Sequence, residues 1–189
     1  MSQQEISRFS SIAIFLHWLT VLLVILAFIL GPGGSEERVY AAARDTQRHL
    51  HETLGMLVFF LTMIRLAWRW RDRQPEHQTL PPLMALAAKL VQYTLYILLF
   101  VVPITAIVGA WLEGHPITLV LGIEFGPWFG PAHELGVNIA HVHKFLGDTI
   151  IWLAGFHALT GIYHHLVQKD EILISMLPRG VGAWLGHKE

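Results

Sequence analysis

The sequence contains no cysteine. That absence excludes disulfides, iron–sulfur clusters, thiolate-ligated haem and covalent haem attachment through a C-x-x-C-H motif. Charge is scarce as well. Lys, Arg, Asp and Glu make up 14% of the chain, where a soluble domain carries about 25%. The 13 basic and 14 acidic side chains nearly cancel, so there is no basic footprint for nucleic acid. With 53% of its 189 residues apolar and a mean hydropathy of +0.49, the chain has too little polar surface to coat a water-soluble globule. It belongs among membrane lipid. Against this depletion of charge, 12 histidines stand out.

Four apolar segments are long enough to matter. Residues 9–34 hold no charge over 26 positions, enough to span a bilayer. The run is too long for a signal-peptide core and carries His17 and Trp18, so it is read as a retained first helix over roughly 11–31. A run of 23 uncharged residues, 90–112, predicts a third helix over 88–111 with a bend at Pro103. Twenty more, 149–168, predict a fourth helix over 141–167 once its more polar first turns are included. The second helix, 50–70, is the weakest in hydropathy, because its uncharged stretch, 53–64, is 12 residues. It spans only if Glu52 sits at one interface and Arg65 and Arg69 lie near the other, beside Trp68 and Trp70 in an aromatic belt. Without it, a long polar excursion would leave an odd number of crossings. The fold class expected is therefore all-α, an integral membrane four-helix bundle forming a single domain over 1–189.

Orientation follows from where Lys and Arg fall. Arg65, Arg69, Arg71, Arg73 and Lys89 surround the second loop, Lys169, Arg179 and Lys188 lie in the tail, and Arg8 precedes the first helix. The loop 113–140 has neither Lys nor Arg, and in the first loop Arg38, Arg44 and Arg48 are offset by Glu36, Glu37 and Asp45. Both termini are expected in the cytoplasm. The apolar piece 116–131, broken by Gly and Pro, is expected along the outer membrane surface.

An imidazole within a spanning helix is costly and is a functional candidate by default. With the amino terminus inside, His17 lies low in the first helix and His51 lies high in the second. His143 and His157 are fourteen residues apart on the fourth helix, which is roughly 21 Å of depth and within roughly 40° of one face. One partner is thus available at each level: His51 with His143 outside, His17 with His157 inside. Paired imidazoles inside a bundle are what a six-coordinate haem iron needs in its two axial positions, whereas zinc would want three or four ligands at one point. The two-plus-two arrangement suits haem better than zinc, with His17, His51, His143 and His157 as the candidate ligands. Gly55, Gly147 and Gly161 each follow a proposed ligand by four residues, where a missing side chain lets a flat macrocycle approach. Val21 breaks the pattern after His17. Arg65, fourteen residues after His51, points inward at the depth of the inner haem and could pair with a propionate. Blander alternatives stand beside each: a lone histidine bonding a neighbouring helix, glycines that serve close helix packing, and Arg65 as an interfacial anchor.

The other histidines differ. His49 and His141, two residues from proposed ligands, point about 200° away around the helix and are the substitutes should the register be wrong. His164 and His165 read as an interfacial solvated pair, with proton handling or quinone binding as the alternative. His77, His115, His133 and His187 fall in loops or the tail, with no role expected.

On these residues the sequence resembles the bacterial cytochrome b561 family of four-helix, di-haem b-type membrane cytochromes. The likeness rests on His17-Trp18-Leu19, His51 with Gly55 and Arg65, His143, His157 and His164-His165. It continues through Lys169-Asp170 and Met176-Leu177-Pro178-Arg179, so it covers nearly the whole chain. The resemblance implies axial haem ligation by His17, His51, His143 and His157, electron exchange with membrane quinone, and residence in the bacterial inner membrane. One branch of the family oxidises superoxide and passes the electron to ubiquinone, but the outer surface expected here is not basic, which opposes guidance of an anion. Two other readings remain: a cytochrome b membrane anchor serving a redox protein partner such as a hydrogenase or dehydrogenase, and a His-lined metal transporter. The transporter would lack the acidic residues that cation sites use. No catalytic side chain is assigned.

Overall fold

A computed structural model describes residues 8–72, 81–178 and 180–181. Helix α1 is Ser11–Leu30, opened by Ser10, whose hydroxyl accepts the Ala13 N–H. Short α2, Glu36–Val39, and a 3-10 turn at Ala42–Arg44 lead into α3, Asp45–Arg71. Helix α4 is Pro82–Glu113. A two-residue antiparallel pair follows, β1 at Ile117–Thr118 and β2 at Glu124–Phe125. Helix α5, His133–Tyr163, runs on as a π-helical turn over His164–Gln168, and α6 is Ile172–Ser175. Among the described residues, four helices are long and apolar enough to cross a membrane. The all-α membrane bundle expected from the sequence is the architecture found.

The helices begin earlier than their apolar runs. Helix α3 starts at Asp45 rather than near 50, because Arg48 is buried and pairs with Asp45 at 2.7 Å and with Glu52 at 3.4 Å, knitting its first turns together. Helix α4 starts at Pro82 rather than 88, with proline in the first turn where its missing N–H costs nothing. It runs to Glu113, where Gly114 at φ 90° turns the chain out. Helix α5 gains two turns, from 141 back to His133.

Packing occurs in two pairs. Helix α1 lies along α3 and α4 along α5, whereas α1 and α5 touch little. The pairs meet through a core of Val58, Leu98, Leu99 and Ile150, flanked by Leu23, Val24 and Leu146. The close α4–α5 approach is made by two glycines. A Cβ on Gly109 would sit 3.4 Å from the Ala140 nitrogen, and one on Gly136 would sit 2.8 Å from the Glu113 nitrogen. Phe15, Phe60, Phe145 and Trp152 are exposed, Trp152 to 81%, as apolar side chains on membrane-spanning helices are when they face lipid.

Both ends of the described chain lie at one end of the bundle. Phe9 N–H donates to the Ser175 carbonyl and Trp18 Nε1–H to the Met176 carbonyl at 2.8 Å. Ser10 donates to Asp72 at 2.6 Å and accepts from Trp68 Nε1. At the opposite, loop end, the strand pair folds back onto the helices instead of running free along a surface. Thr118 N–H donates to Glu52 at 2.6 Å, Val120 N–H donates to the Thr53 hydroxyl, and the Trp111 ring packs on Trp128 at 4.7 Å.

Candidate functional site

At the loop end, α3 and α5 bring His51 and His143 together, with ring centroids 6.0 Å apart and planes at 83°. Each ring is held from behind. His51 Nδ1–H donates to the Ala27 carbonyl at 2.8 Å, and His143 Nδ1–H donates to the Val102 carbonyl at 2.9 Å. The Ala27 carbonyl belongs to the last turn of α1, where carbonyls lack helical partners, and Gly31 N–H turns to Phe28 instead. The Val102 carbonyl also accepts the Thr105 hydroxyl. Because a carbonyl can only accept, the hydrogen must sit on each Nδ1, which leaves Nε2 as the nitrogen able to bind metal. Two metal–nitrogen bonds of about 2 Å, plus about 1 Å from each nitrogen to its ring centre, separate two axial imidazoles by roughly 6 Å between centroids. The observed spacing therefore fits an iron held between two histidines.

Toward the terminal end, Arg65 of α3 links the second set. Its Nη2–H donates to His17 Nδ1 on α1 at 2.8 Å, whereas His157 of α5 is exposed. The guanidinium stacks over Tyr96 at 5.4 Å, beside Arg69 at 5.8 Å. Arg65 is therefore turned into the bundle. The hydrogen-bond pattern is the reverse of that at the loop end, because here Nδ1 accepts.

The glycines separate into kinds. A Cβ on Gly55 or Gly147 would meet nothing within 4 Å. These two make no close helix contact and open a cradle beside His51 and His143. Gly161 differs, since a Cβ there would touch Leu173 of α6 at 3.7 Å. The register expected for α3 and α5 is the one found: His49 accepts instead from Arg48 at 3.2 Å, and His141 is exposed.

Several histidines have partners that the sequence did not disclose. His164 is half-buried and hydrogen-bonds Asp170 at 2.6 Å between Nδ1 and Oδ2, so it is not simply solvated. His115 and His133, expected to have no role, both reach Glu36, at 3.0 and 3.4 Å. Residues 36 and 115 are far apart in sequence, and no local signal joins them. The Tyr40 ring stacks on His115 at 3.5 Å between centroids. Burial, with the Glu113 and Glu52 carboxylates nearby, holds the Tyr40 hydroxyl protonated well above the usual tyrosine range. His77, His187, Arg73, Arg179 and Lys188 lie outside the described residues.

A family model described as prokaryotic cytochrome b561 matches residues 8–179. The chain is similar to cytochrome b561 homolog 1 of Escherichia coli (strain K12), with 31% identity over 180 residues, covering 92% of this chain and 98% of the relative. It is 27% identical to the probable superoxide oxidase CybB of Yersinia pestis, over 93% and 98% of the two chains. It is 29% identical to cytochrome b562 of Cereibacter sphaeroides, over 89% and 94%. Four apolar helices, a histidine pair at iron-ligand spacing and a match across nearly all of the chain agree: it belongs to the prokaryotic cytochrome b561 family of membrane electron-transfer proteins, which bind b-type haem.

Proposed function

We propose that the chain is a single di-haem domain of the bacterial inner membrane, with both termini cytoplasmic, that carries electrons to or from the quinone pool. His51 and His143 hold one haem b, and His17 and His157 hold the other. The observation that carries this reading is the 6.0 Å His51–His143 spacing with both Nδ1–H groups tied to main-chain carbonyls. When bound, b haem supplies a one-electron ferrous/ferric couple at each level. The protein's part is to fix tautomer and ring direction, to exclude water and to place charge. The carbonyls of Ala27 and Val102 do the first. The cradle at Gly55 and Gly147 leaves room for a flat macrocycle beside His51 and His143. Arg65 supplies a half-buried cation bonded to His17. A propionate is the anion that would draw it off His17 and free that ring to ligate.

Superoxide oxidation comes to this chain through the name of the Yersinia pestis relative. The loop end, however, sets Glu36 and Glu113 near one another and pairs Glu52 with Arg48, so it is not a basic surface that would steer an anionic substrate. The electron-carrier reading needs no such guidance.

The test is a reduced-minus-oxidised absorption spectrum of the purified chain with haem counted per polypeptide, repeated on four variants. His51→Ala and His143→Ala should lose the same haem, and His17→Ala and His157→Ala the other. Colourless protein, or one haem per chain in the wild type, overturns the reading. A haem lost in common by His51→Ala and His157→Ala overturns the pairing.

A further inference from the structure

A second constellation at the loop end has no part in holding haem. Glu36 of α2, Glu113 at the last turn of α4 and His115 just beyond it each offer a donor atom, and these atoms all lie within 4.8 Å of one another. His133, at the start of α5, places Nε2 3.4 Å from the other Glu36 oxygen. The geometry points to a binding site for one divalent transition-metal ion of the zinc type, held by Glu36, Glu113 and His115 with His133 as fourth ligand.

Three features make this more than a cluster of acidic side chains. The donor set is mixed, two carboxylates with two imidazoles, which suits zinc and is ill-suited to magnesium or calcium. Two carboxylates also neutralise a divalent ion, so the site can lie at the edge of the membrane without net charge. The backbone beneath is fixed: Gly114 takes φ 90° and His115 N–H closes onto the Ala110 carbonyl at 2.8 Å, a helix-ending clasp that sets the direction of His115. Gly136 lets α5 approach so closely that a Cβ there would lie 2.8 Å from Glu113, and the Tyr40 ring stacked on His115 steadies the imidazole. Glu36 Oε1 and His115 Nε2, 3.0 Å apart, share a hydrogen in the absence of metal. Zinc at that nitrogen requires the neutral ring to carry its one hydrogen on Nδ1 instead.

The proposal is independent of how haem is held, and its test reads metal rather than electron transfer. The haem-loaded full chain in detergent is stripped with a chelator, exchanged into buffer and titrated with Zn²⁺ against a chromogenic chelator. One equivalent per chain should bind, and Glu36→Gln and His115→Ala should each weaken it about tenfold or more. Both variants should keep the wild-type visible spectrum. Glu36 lies on a four-residue helix at the periphery, so Glu36→Gln decides the matter should His115→Ala not fold. Three results overturn the proposal: no saturable equivalent, zinc binding unchanged in Glu36→Gln, or Mg²⁺ competing on equal terms with Zn²⁺.

Discussion

Gly55 and Gly136 are both helical glycines in spanning segments, and the structure assigns them opposite reasons for lacking a side chain. A methyl group in a helix interior is favourable by about 0.5–1 kcal/mol over glycine. At Gly55 nothing lies within 4 Å of the added Cβ, so Gly55→Ala keeps that gain in the bundle itself. At Gly136 the same Cβ meets the Glu113 nitrogen at 2.8 Å and the Gly109 carbonyl oxygen at 3.0 Å. Both are backbone atoms that cannot swing aside, and overpacking of this kind costs about 1–3 kcal/mol. Gly136→Ala is therefore expected to be destabilising by up to about 2 kcal/mol, a fall of roughly 4–8 °C in Tm for a chain of this size. Gly55→Leu separates the functional reading from the packing one. The larger side chain has space within the protein, yet it fills the cradle beside His51, so it should remove one haem per chain while the polypeptide stays folded. Thermal unfolding in detergent and haem counted per chain measure the two effects. Should Gly55→Leu retain both haems, or Gly136→Ala melt no lower than wild type, the division of these glycines into cradle and contact is wrong.

Three further outcomes follow from particular contacts. Ser10→Ala removes the cap of α1, the acceptor for Trp68 Nε1–H and the donor to Asp72, a loss of about 1–3 kcal/mol; an unchanged Tm would show that these bonds are replaced by water at no cost. Glu52→Ala frees Thr118 N–H and should speed amide exchange over residues 117–120 without affecting the interior of α3; equal exchange in both proteins refutes the clamp. Arg65→Gln removes a half-buried positive charge bonded to His17. Positive charge favours the reduced form, so the haem at that level should titrate at a lower potential while the His51–His143 haem does not move; a shift of the wrong haem would reassign Arg65.

How much of this was legible in the sequence depends on what kind of interaction carried it. The four helices announce themselves as uncharged runs, because no other backbone arrangement satisfies its polar groups in lipid. The facing of His51 and His143 was legible from the Lys and Arg distribution, which sets both near the outer face, together with the helix rise that separates His143 from His157. The first turns of α5 were hidden because His133 and Glu134 are stabilised at the membrane edge, where apolar content is no guide. The starts of α3 and α4 were marked by signals of another sort: an Asp45–Arg48–Glu52 ladder and Pro81–Pro82. The cluster at Glu36 was not legible at all, because its members sit on three separate helices and the turn after α4, and the approach of two of those helices depends on Gly109 and Gly136.

In the proposed di-haem reading the two histidine levels are prepared to different degrees, and this bears on which level fills first. At the loop end the hydrogens already lie on Nδ1 of both rings, directed to the Ala27 and Val102 carbonyls, so each Nε2 is ready to ligate. At the other level Arg65 donates to His17 Nδ1, which places the hydrogen of the neutral ring on Nε2, the nitrogen that must be bare. Loading there requires the guanidinium to swing away and the ring to exchange tautomer, and both changes cost free energy before a bond to iron forms. A preorganised site binds more tightly because that cost has already been met in folding. Under limiting haem supply, the first equivalent should therefore enter between His51 and His143, and preparations averaging one haem per chain should show the spectrum that His51→Ala removes. Arg65→Gln should weaken that preference by leaving His17 free to choose its tautomer. Half-loaded protein carrying its haem at the His17–His157 level, or a loading order indifferent to Arg65→Gln, would show that the hydrogen-bond partners of the far ring nitrogen do not govern which level fills first.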